Sequence, residues 1–456
     1  MSFNIGLSGL YAANKSLDVT GNNIANVATN GFKSSRVEFA DQYAQSIRGT
    51  SGNTNVGSGV TTAAVAQQFT QGTLTTGTGN SLDLAINGNG FFMLSDNGEK
   101  LYTRAGAFHT DKAGYVVNSD GMNLQGYNVD ENGNVVAGVL SNLRVDSSNQ
   151  APNPTGSITI TNNLNSSSTV PTITPFDPTK VNSYNNTFST AIYDSQGNEH
   201  SLDQYFVKTG TNTWSMYSLV DGRSISDPVG NATTTWDKID LTFDSSGNLD
   251  ASALPTVAQG SGMTVEADGT FTIKAATGTP PAVGTGWIPA MNTGTAATPL
   301  WVANGASARS TGTKLDMLTM TQTASVSGAI TKTQDGYATG QISNMSVDST
   351  GNLFASYTNG QSKVIGQVSL TNFANVQGLS AAGGTNWRET FASGVPVSGA
   401  PQSGTLGNIT GQALEDSNVD LTAELVNLIK AQSNYQANAK TISTQATIMQ
   451  TTIQMT

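Results

Sequence analysis

The 456-residue sequence contains no cysteine, which excludes disulfides, thiolate nucleophiles and Cys-ligated metals. Charged residues make up only 11% of it, against about 25% in an ordinary globular protein. There are two histidines, His109 and His200, far apart and without a motif around either. No nucleophile elbow of the G-x-S-x-G kind is convincing. Gly88-Asn89-Gly90 is followed by no helix signal, so it is not a dinucleotide fingerprint. Acidic residues are scattered and name no catalytic pair. The expectation is therefore no enzyme, no cofactor and no metal site. Basic residues are also scarce, 20 against 31 acidic, for a net charge of −11. Without a basic stripe the chain is suited neither to nucleic acid nor to an anionic membrane surface. No run of 18 apolar residues occurs, so membrane insertion is not expected. Met1 to Gly6 has neither a basic nor a long apolar region, so no cleavable secretory signal is read there.

What the sequence does contain is glycine, 49 residues of it, with abundant Ser, Thr and Asn. That mix favours strands and turns. Only the two ends are helical in pattern. Leu10, Ala13, Leu17, Thr20, Ile24 and Val27 alternate at three- and four-residue spacing, and residues 5–29 read as a helix stopped near Asn30-Gly31. Leu421, Leu425, Leu428, Gln432, Tyr435, Ala439, Ile442, Ala446, Met449 and Ile453 repeat the pattern to the last turn. Such spacing puts one stripe of side chains on one helix face, the seam that a coiled coil buries. The candidate assembly seam is Leu10, Leu17, Ile24 and Val27 with Leu421, Leu425, Leu428, Tyr435, Ile442, Met449 and Ile453. Asn22, Asn26 and Asn30 share a face beside it, as candidate register-fixing polar contacts. Glu415-Asp416-Ser417-Asn418-Val419-Asp420 precedes the last helix. Asp420 or Ser417 can cap it, and the acidic cluster suits the positive end of its dipole.

Between the ends the chain reads as β-structure. Leu82 to Ile86 alternates with period two and is followed by Asn87-Gly88, a hairpin signal. Phe91 to Leu94 reads as a short buried strand. Tyr205 to Val207, Trp214 to Leu219 and residues 364–373 are further strands. Asp130, Asp194, Asp244 and Asp348 each begin an Asp-x-x-Gly-Asn run. The spacing fails for an EF-hand and suits a hairpin turn with Gly at positive φ. Trp214 with Trp236 could form a sugar platform, though core packing explains each as well. The fold class expected is mainly β with terminal α-helices that pair in a coiled-coil-like domain, and two or more nested antiparallel β domains between. Boundaries follow: 1–31 plus 418–456 as a helical assembly domain, 32–71 as a connecting segment, 72–146 plus 335–410 as an inner β domain, and 147–334 as an outer β domain with an insertion near 250–312.

Ser16 to Lys33 (SLDVTGNNIANVATNGFK) resembles the N-terminal signature of bacterial flagellar rod and hook proteins. Leu82 to Phe92 (LDLAINGNGFF), Tyr102 to Gly106 and Asp120-Gly121 resemble that family's inner β domain. Gly366-Gln367-Val368 with Asn372 to Asn375 resembles its return strand. Leu414 to Leu421 and Gln432 to Lys440 resemble its C-terminal signature. The chain's length and large middle β region are similar to the hook members, since rod members are shorter. The resemblance implies a homopolymer: a curved helical tube that joins motor to filament as a universal joint. It further implies rod, hook-cap and hook–filament junction proteins as partners, and passage through the flagellar type III export apparatus to an extracellular place in the flagellum. A distal rod or junction component is the near alternative. A monomeric extracellular adhesin or glycan-binding β-protein is the distant one, and it would leave the paired heptads unexplained.

Overall fold

The structure, a computed structural model, describes residues 2–42, 57–130, 133–226, 236–255, 262–277, 285–295 and 299–455. Two compact units are present. Unit 1 takes both ends of the chain (1–147, 342–356 and 362–456), and unit 2 takes 148–341 with 357–361.

Unit 1 holds both long helices, α1 (Ser2–Ala25) and α2 (Leu421–Gln454). α1 ends earlier than its spacing predicts, and residues 26–31 form turns instead. Asn and Thr crowd this end, and their side chains compete for backbone partners. Gly31, with φ +69°, closes these turns rather than the helix itself. α2 is capped by Asp420, whose carboxylate accepts from Thr422 N at 2.9 Å and Ala423 N at 3.1 Å. No described helix is long and apolar enough to cross a membrane.

The β part of unit 1 is built on Phe91–Asp96, which pairs with Glu99–Thr103, Asn123–Val129 and Leu370–Asn372. Phe92 and Leu94 enter one core with Leu84, Ile86, Leu101 and Phe108. Phe91 and Met93 enter another with Tyr102, Phe373 and Trp387. A strand buried on both faces needs a continuous apolar run, and FFML supplies it. The preceding segment departs from its pattern. Leu82 to Ile86 is buried throughout, Asp83 included, so its alternation marks no solvent face. Asn87-Gly88 is not a hairpin turn either. Strand Leu84–Asn87 pairs with Asn408–Gly411, while the next strand belongs to a different sheet. Gly88, at φ +108°, turns the chain from one sheet into the other. The return strand arrives as its sequence suggests: Ser362–Val368 pairs with Asn123–Val129.

Among the described residues of unit 2, two larger sheets share one core and a two-stranded sheet (Ala290–Asn292 with Trp301–Ala303) stands beside them in the topology. Asn186–Tyr193, Glu199–Gly210, Thr213–Val220 and Lys238–Thr242 are antiparallel neighbours. Their inward residues, among them Leu202, Phe206, Trp214 and Met216, meet Ile158, Phe271, Ile273 and Leu315 of the second sheet. The segment 263–273, inside the region read as an insertion, thus contributes core strands. Trp214 is wholly buried and donates from its indole to Gln322 Oε1 at 2.7 Å. Trp236 packs instead against Phe176, so the two tryptophans form no platform.

The four Asp-x-x-Gly-Asn runs share one geometry. Asp194, Asp244 and Asp348 each accept from the amides two and four residues on. Asp130 accepts from Asn134 N, and residues 131 and 132 lie outside the described residues. Gly133, Gly197, Gly247 and Gly351 all have φ between +78° and +85°. In each, the glycine N–H donates back to the Asp carbonyl and the glycine is left-handed, as in the common three-residue hairpin connection.

One of these turns also anchors a titratable cluster. His200 is nearly buried, with Nδ1 2.8 Å from Asp221 Oδ2 and Nε2 3.3 Å from Asp194 Oδ2. Arg223 also bonds Asp221, and Asn304 donates to Asp194. Burial opposes a charged imidazole, but the hydrogen bonds and charges of Asp221 and Asp194 outweigh it and raise the His200 pKa above 6.5. Burial likewise opposes ionisation of both carboxyls, and their hydrogen bonds hold them below 3.8. The histidine's contribution is complete below its unfolded pKa of 6.5 and is lost as pH rises through its higher folded value. The carboxylates' contribution is present above 3.8 and is lost as pH falls through their folded values. Unit 2 should therefore melt progressively lower as pH is raised from 6.5 towards alkaline values. Thermal melts of His200→Gln should show a flatter slope over that range, and an unchanged slope would remove His200 as its cause.

Candidate assembly interface

α1 and α2 lie against each other in antiparallel sense. Gly6 faces Ile442, and Thr20 lines the same cleft as Ala431. The contact is made through small residues. Gly6, Ala13 and Thr20, spaced by seven, are buried on α1, and Ala431 is the buried residue of α2. A Cβ at Gly9 would sit 2.5 Å from Asn438 Oδ1, and one at Gly6 would sit 3.1 Å from Ile442 Cγ1. Glycine at both positions therefore sets how closely the helices approach.

The large apolar residues of the seam are divided by this arrangement. Leu10, Leu17 and Ile24 on α1, and Leu428 and Ile442 on α2, are half-buried; Val27, also half-buried, lies in the turns beyond α1 rather than on the helix. Leu421, Leu425, Tyr435, Met449 and Ile453 are exposed by 37% to 71%. Val426, Ile429 and Ile448 are exposed as well. The inward line of α2 runs through Glu424, Leu428, Ala431, Asn438, Ile442 and Gln445. This line is rotated from the three-four stripe and shares only Leu428 and Ile442 with it. An apolar stripe is left on the outside.

The polar residues at the helix root are more elaborate than their sequence suggests. Asn26 donates to Asn22 O and accepts from Thr29, all within its own segment. Asn22 is exposed and Asn30 half-buried. The buried asparagine is Asn23, which accepts from Ser35 N at 2.9 Å and donates to Ser35 O at 2.8 Å. It ties α1 to the strand that follows. Its only sequence signal is the doubled asparagine at 22 and 23.

Glu415 is not a solvated partner of the helix dipole. Its side chain is fully buried, and Oε1 accepts from Lys33 Nζ at 2.5 Å and Gly72 N at 2.9 Å. Oε2 accepts from Arg104 Nη1 at 3.1 Å. Lys33 also donates to Thr70 O, and Arg104 to Gly88 O. The backbone joins in: Gly31 N donates to Glu415 O at 2.7 Å. Asn418 accepts from Ser34 N and donates to Gln68 O. Burial pulls the Lys33 ammonium below its usual pKa, opposed by the neighbouring Glu415 charge, and acts on Arg104 in the same way. Gly31 to Ser34 and Glu415 to Asn418, nearly 400 residues apart, thus close into one clasp. It fastens both helix roots to the β part of unit 1. No group of acidic or histidine side chains able to hold a metal ion is found among the described residues.

Four family models of flagellar rod, hook and basal-body proteins match in order along the chain, which places it in the class of axial flagellar proteins. They are the flagella basal body rod protein model at residues 3–33, the flagellar hook protein FlgE/F/G D1 domain at 85–170, the flagellar basal body protein FlaE D2 domain at 163–337, and the flagellar basal body rod FlgEFG C-terminal model at 410–455. Among curated proteins, the flagellar hook protein FlgE of Escherichia coli K12 is 37% identical over 463 residues, all of both chains. That of Salmonella typhimurium is 38% identical, again over all of both. That of Borreliella burgdorferi is 32% identical, over 99% of this chain and 98% of its own. A crystal structure of Helicobacter pylori FlgE2 aligns with 76% of this chain and 100% of its own, at 13% identity and a TM-score of 0.45. The chain belongs to the flagellar hook protein family. It is a structural subunit of the bacterial flagellar hook, a polymer-forming part of an extracellular organelle.

Proposed function

We propose that this chain assembles, through the outward apolar stripe of α2 and the half-buried stripe of α1, into a curved helical tube. The tube passes motor torque to the filament as a universal joint. One observation carries the reading: the helix pair closes on small residues and leaves Leu421, Leu425, Tyr435, Met449 and Ile453 in solvent. Exposed apolar stripes of this length mark interaction surfaces. Burying them between copies contributes about 25 cal/mol per Å² of apolar surface, less the cost of ordering side chains. In this reading residues 1–31 with 418–456 form the assembly domain, joined by 32–71 to an inner β domain (72–146 with 335–410). Residues 147–334 form an outer domain. Asn22, Asn26 and Asn30 would bond neighbouring copies at the rim of the stripe. The outer domains, poor in charge, would slide over hydrated contacts as the tube turns while bent. Rod, cap and junction proteins would meet its ends. Subunits would leave the cell through the type III export apparatus without a cleavable signal.

The test is a charge in the stripe. Leu425→Asp should leave the monomer's melting temperature within a degree or two, because Leu425 is already 44% exposed. Its critical concentration for tube formation should rise at least ~100-fold, which corresponds to about 3 kcal/mol at ~1.4 kcal/mol per decade. Leu17→Asp should act in the same direction. Normal tubes from either variant, seen by electron microscopy, would refute the stripe as the contact surface.

A further inference from the structure

Phe391 is wholly exposed, at 105% of its reference area, with Val395 at 81% and Val397 at 67% beside it in sequence. A mobile loop could carry such residues without consequence, but this one is fastened. The Ser393 hydroxyl is buried, donates to Thr390 O at 2.7 Å and accepts from Thr390 N at 3.0 Å. Thr390 Oγ1 donates to Gly378 O at 2.6 Å, and Asn375 Nδ2 donates to Ala392 O at 3.0 Å. Gly378 lies so close beneath that a Cβ there would come within 2.4 Å of the Ala392 carbonyl carbon. The loop's own bonds therefore fix the ring in water. Leaving a phenylalanine exposed forgoes about 1.5–3 kcal/mol of burial.

Resting on the self-assembly reading above, we infer that Phe391, with Val395 and Val397, is an anchor by which unit 1 docks onto a second copy of this chain. Charge points to a like chain as the occupant. Copies carrying −11 repel each other, and a contact patch free of acidic side chains adds nothing to that repulsion. Residues 390–414 contain no charged side chain at all. Area points the same way. One phenylalanine supplies about 150–250 Å², and even with two valines this falls short of the roughly 800 Å² per partner of a stable pairwise complex. So small a patch cannot hold one partner alone. It serves a polymer, where each copy adds the same contact to those of the helices.

The experiment uses the full chain. Phe391→Ser should melt as the wild type does, since the exposed ring supports nothing in the monomer. Its critical concentration for polymerisation should rise ~10-fold or more, as for loss of an interface anchor worth at least about 1.4 kcal/mol. Because the chain has no cysteine, Val395→Cys can carry a single environment-sensitive dye, whose emission should shift to the blue on polymerisation. If wild type and Phe391→Ser polymerise at the same concentration, the anchor is refuted while the self-assembly reading stands. A dye that stays in water within the polymer assigns the patch to some other partner and overturns the proposal. A melting temperature lowered by several degrees makes the ring a structural residue and overturns it as well. Failure of the wild type itself to polymerise would bring down both readings together.

Discussion

Glu415→Ala should lower the stability of unit 1 by about 3–5 kcal/mol, the loss seen when one partner of a buried ion pair is removed. At roughly 2–4 °C per kcal/mol for a unit of this size, its melting transition should fall by roughly 6–20 °C. The cause is what remains behind. Lys33 and Arg104 bring two positive charges to one carboxylate in a site closed to water. Without Glu415 they keep the carbonyls of Thr70 and Gly88, with the Phe91 ring beside Arg104, and lie near each other. Glu415→Gln, which keeps the shape and removes the charge, should be nearly as harmful. Replacing all three residues together by apolar ones of similar volume (Lys33→Met, Arg104→Met, Glu415→Leu) should cost far less than Glu415→Ala alone, since no unpaired charge is left. Urea unfolding followed by tryptophan fluorescence measures all three. A Glu415→Ala loss below about 1 kcal/mol, typical of exposed pairs, would mean that water reaches the clasp.

Gly31→Val should be the next most damaging single change, at about 3 kcal/mol. Two costs add. A β-branched residue at φ +69° is strained by about 1–2 kcal/mol. Its Cβ would also stand 2.4 Å from the Ala105 amide nitrogen, backbone that cannot rotate away; overpacking of this kind costs about 1–3 kcal/mol. Gly77 offers the control. Its φ is +81°, but a Cβ there meets nothing within 4 Å. Gly77→Val should therefore show the strain alone, and the difference between the variants gives the cost of the clash. Equal losses at both sites would show that the Gly31 segment can shift without harm.

These two sites mark where the sequence stops being legible. The helical ends, their pairing and the four Asp-x-x-Gly-Asn turns can be read from the chain because each is a local pattern. Spacing marks a helix, though α2 turns a different line inward than its three-four stripe, and five residues fix a turn. Glu415 cannot be read this way. Within its own segment it is one of three acids ahead of a helix, and only Asp420 does the work expected of such a residue. Its true partner is 382 residues away, and local propensity carries no information at that distance. Asn23 is hidden for a related reason: it lies one step off the asparagine face, and its partner is in the next strand. Leu82 to Ile86 misleads because alternation reports a half-exposed strand, whereas this one is covered on both sides. His200 looks isolated because Asp221 reaches it across a strand pair, although Asp194 stands six residues before it in a recognisable turn.

The clasp also sets a timetable for synthesis. In synthesis Lys33 is made 382 residues before the carboxylate it pairs with. Unit 2, whose main segment is continuous, needs no such delay. Unit 1 has high contact order, and chains of that kind fold slowly because distant segments must meet before any contact rewards them. Hairpins such as Phe91–Asp96 with Glu99–Thr103 can close early, but the clasp itself cannot form until Glu415 has been made.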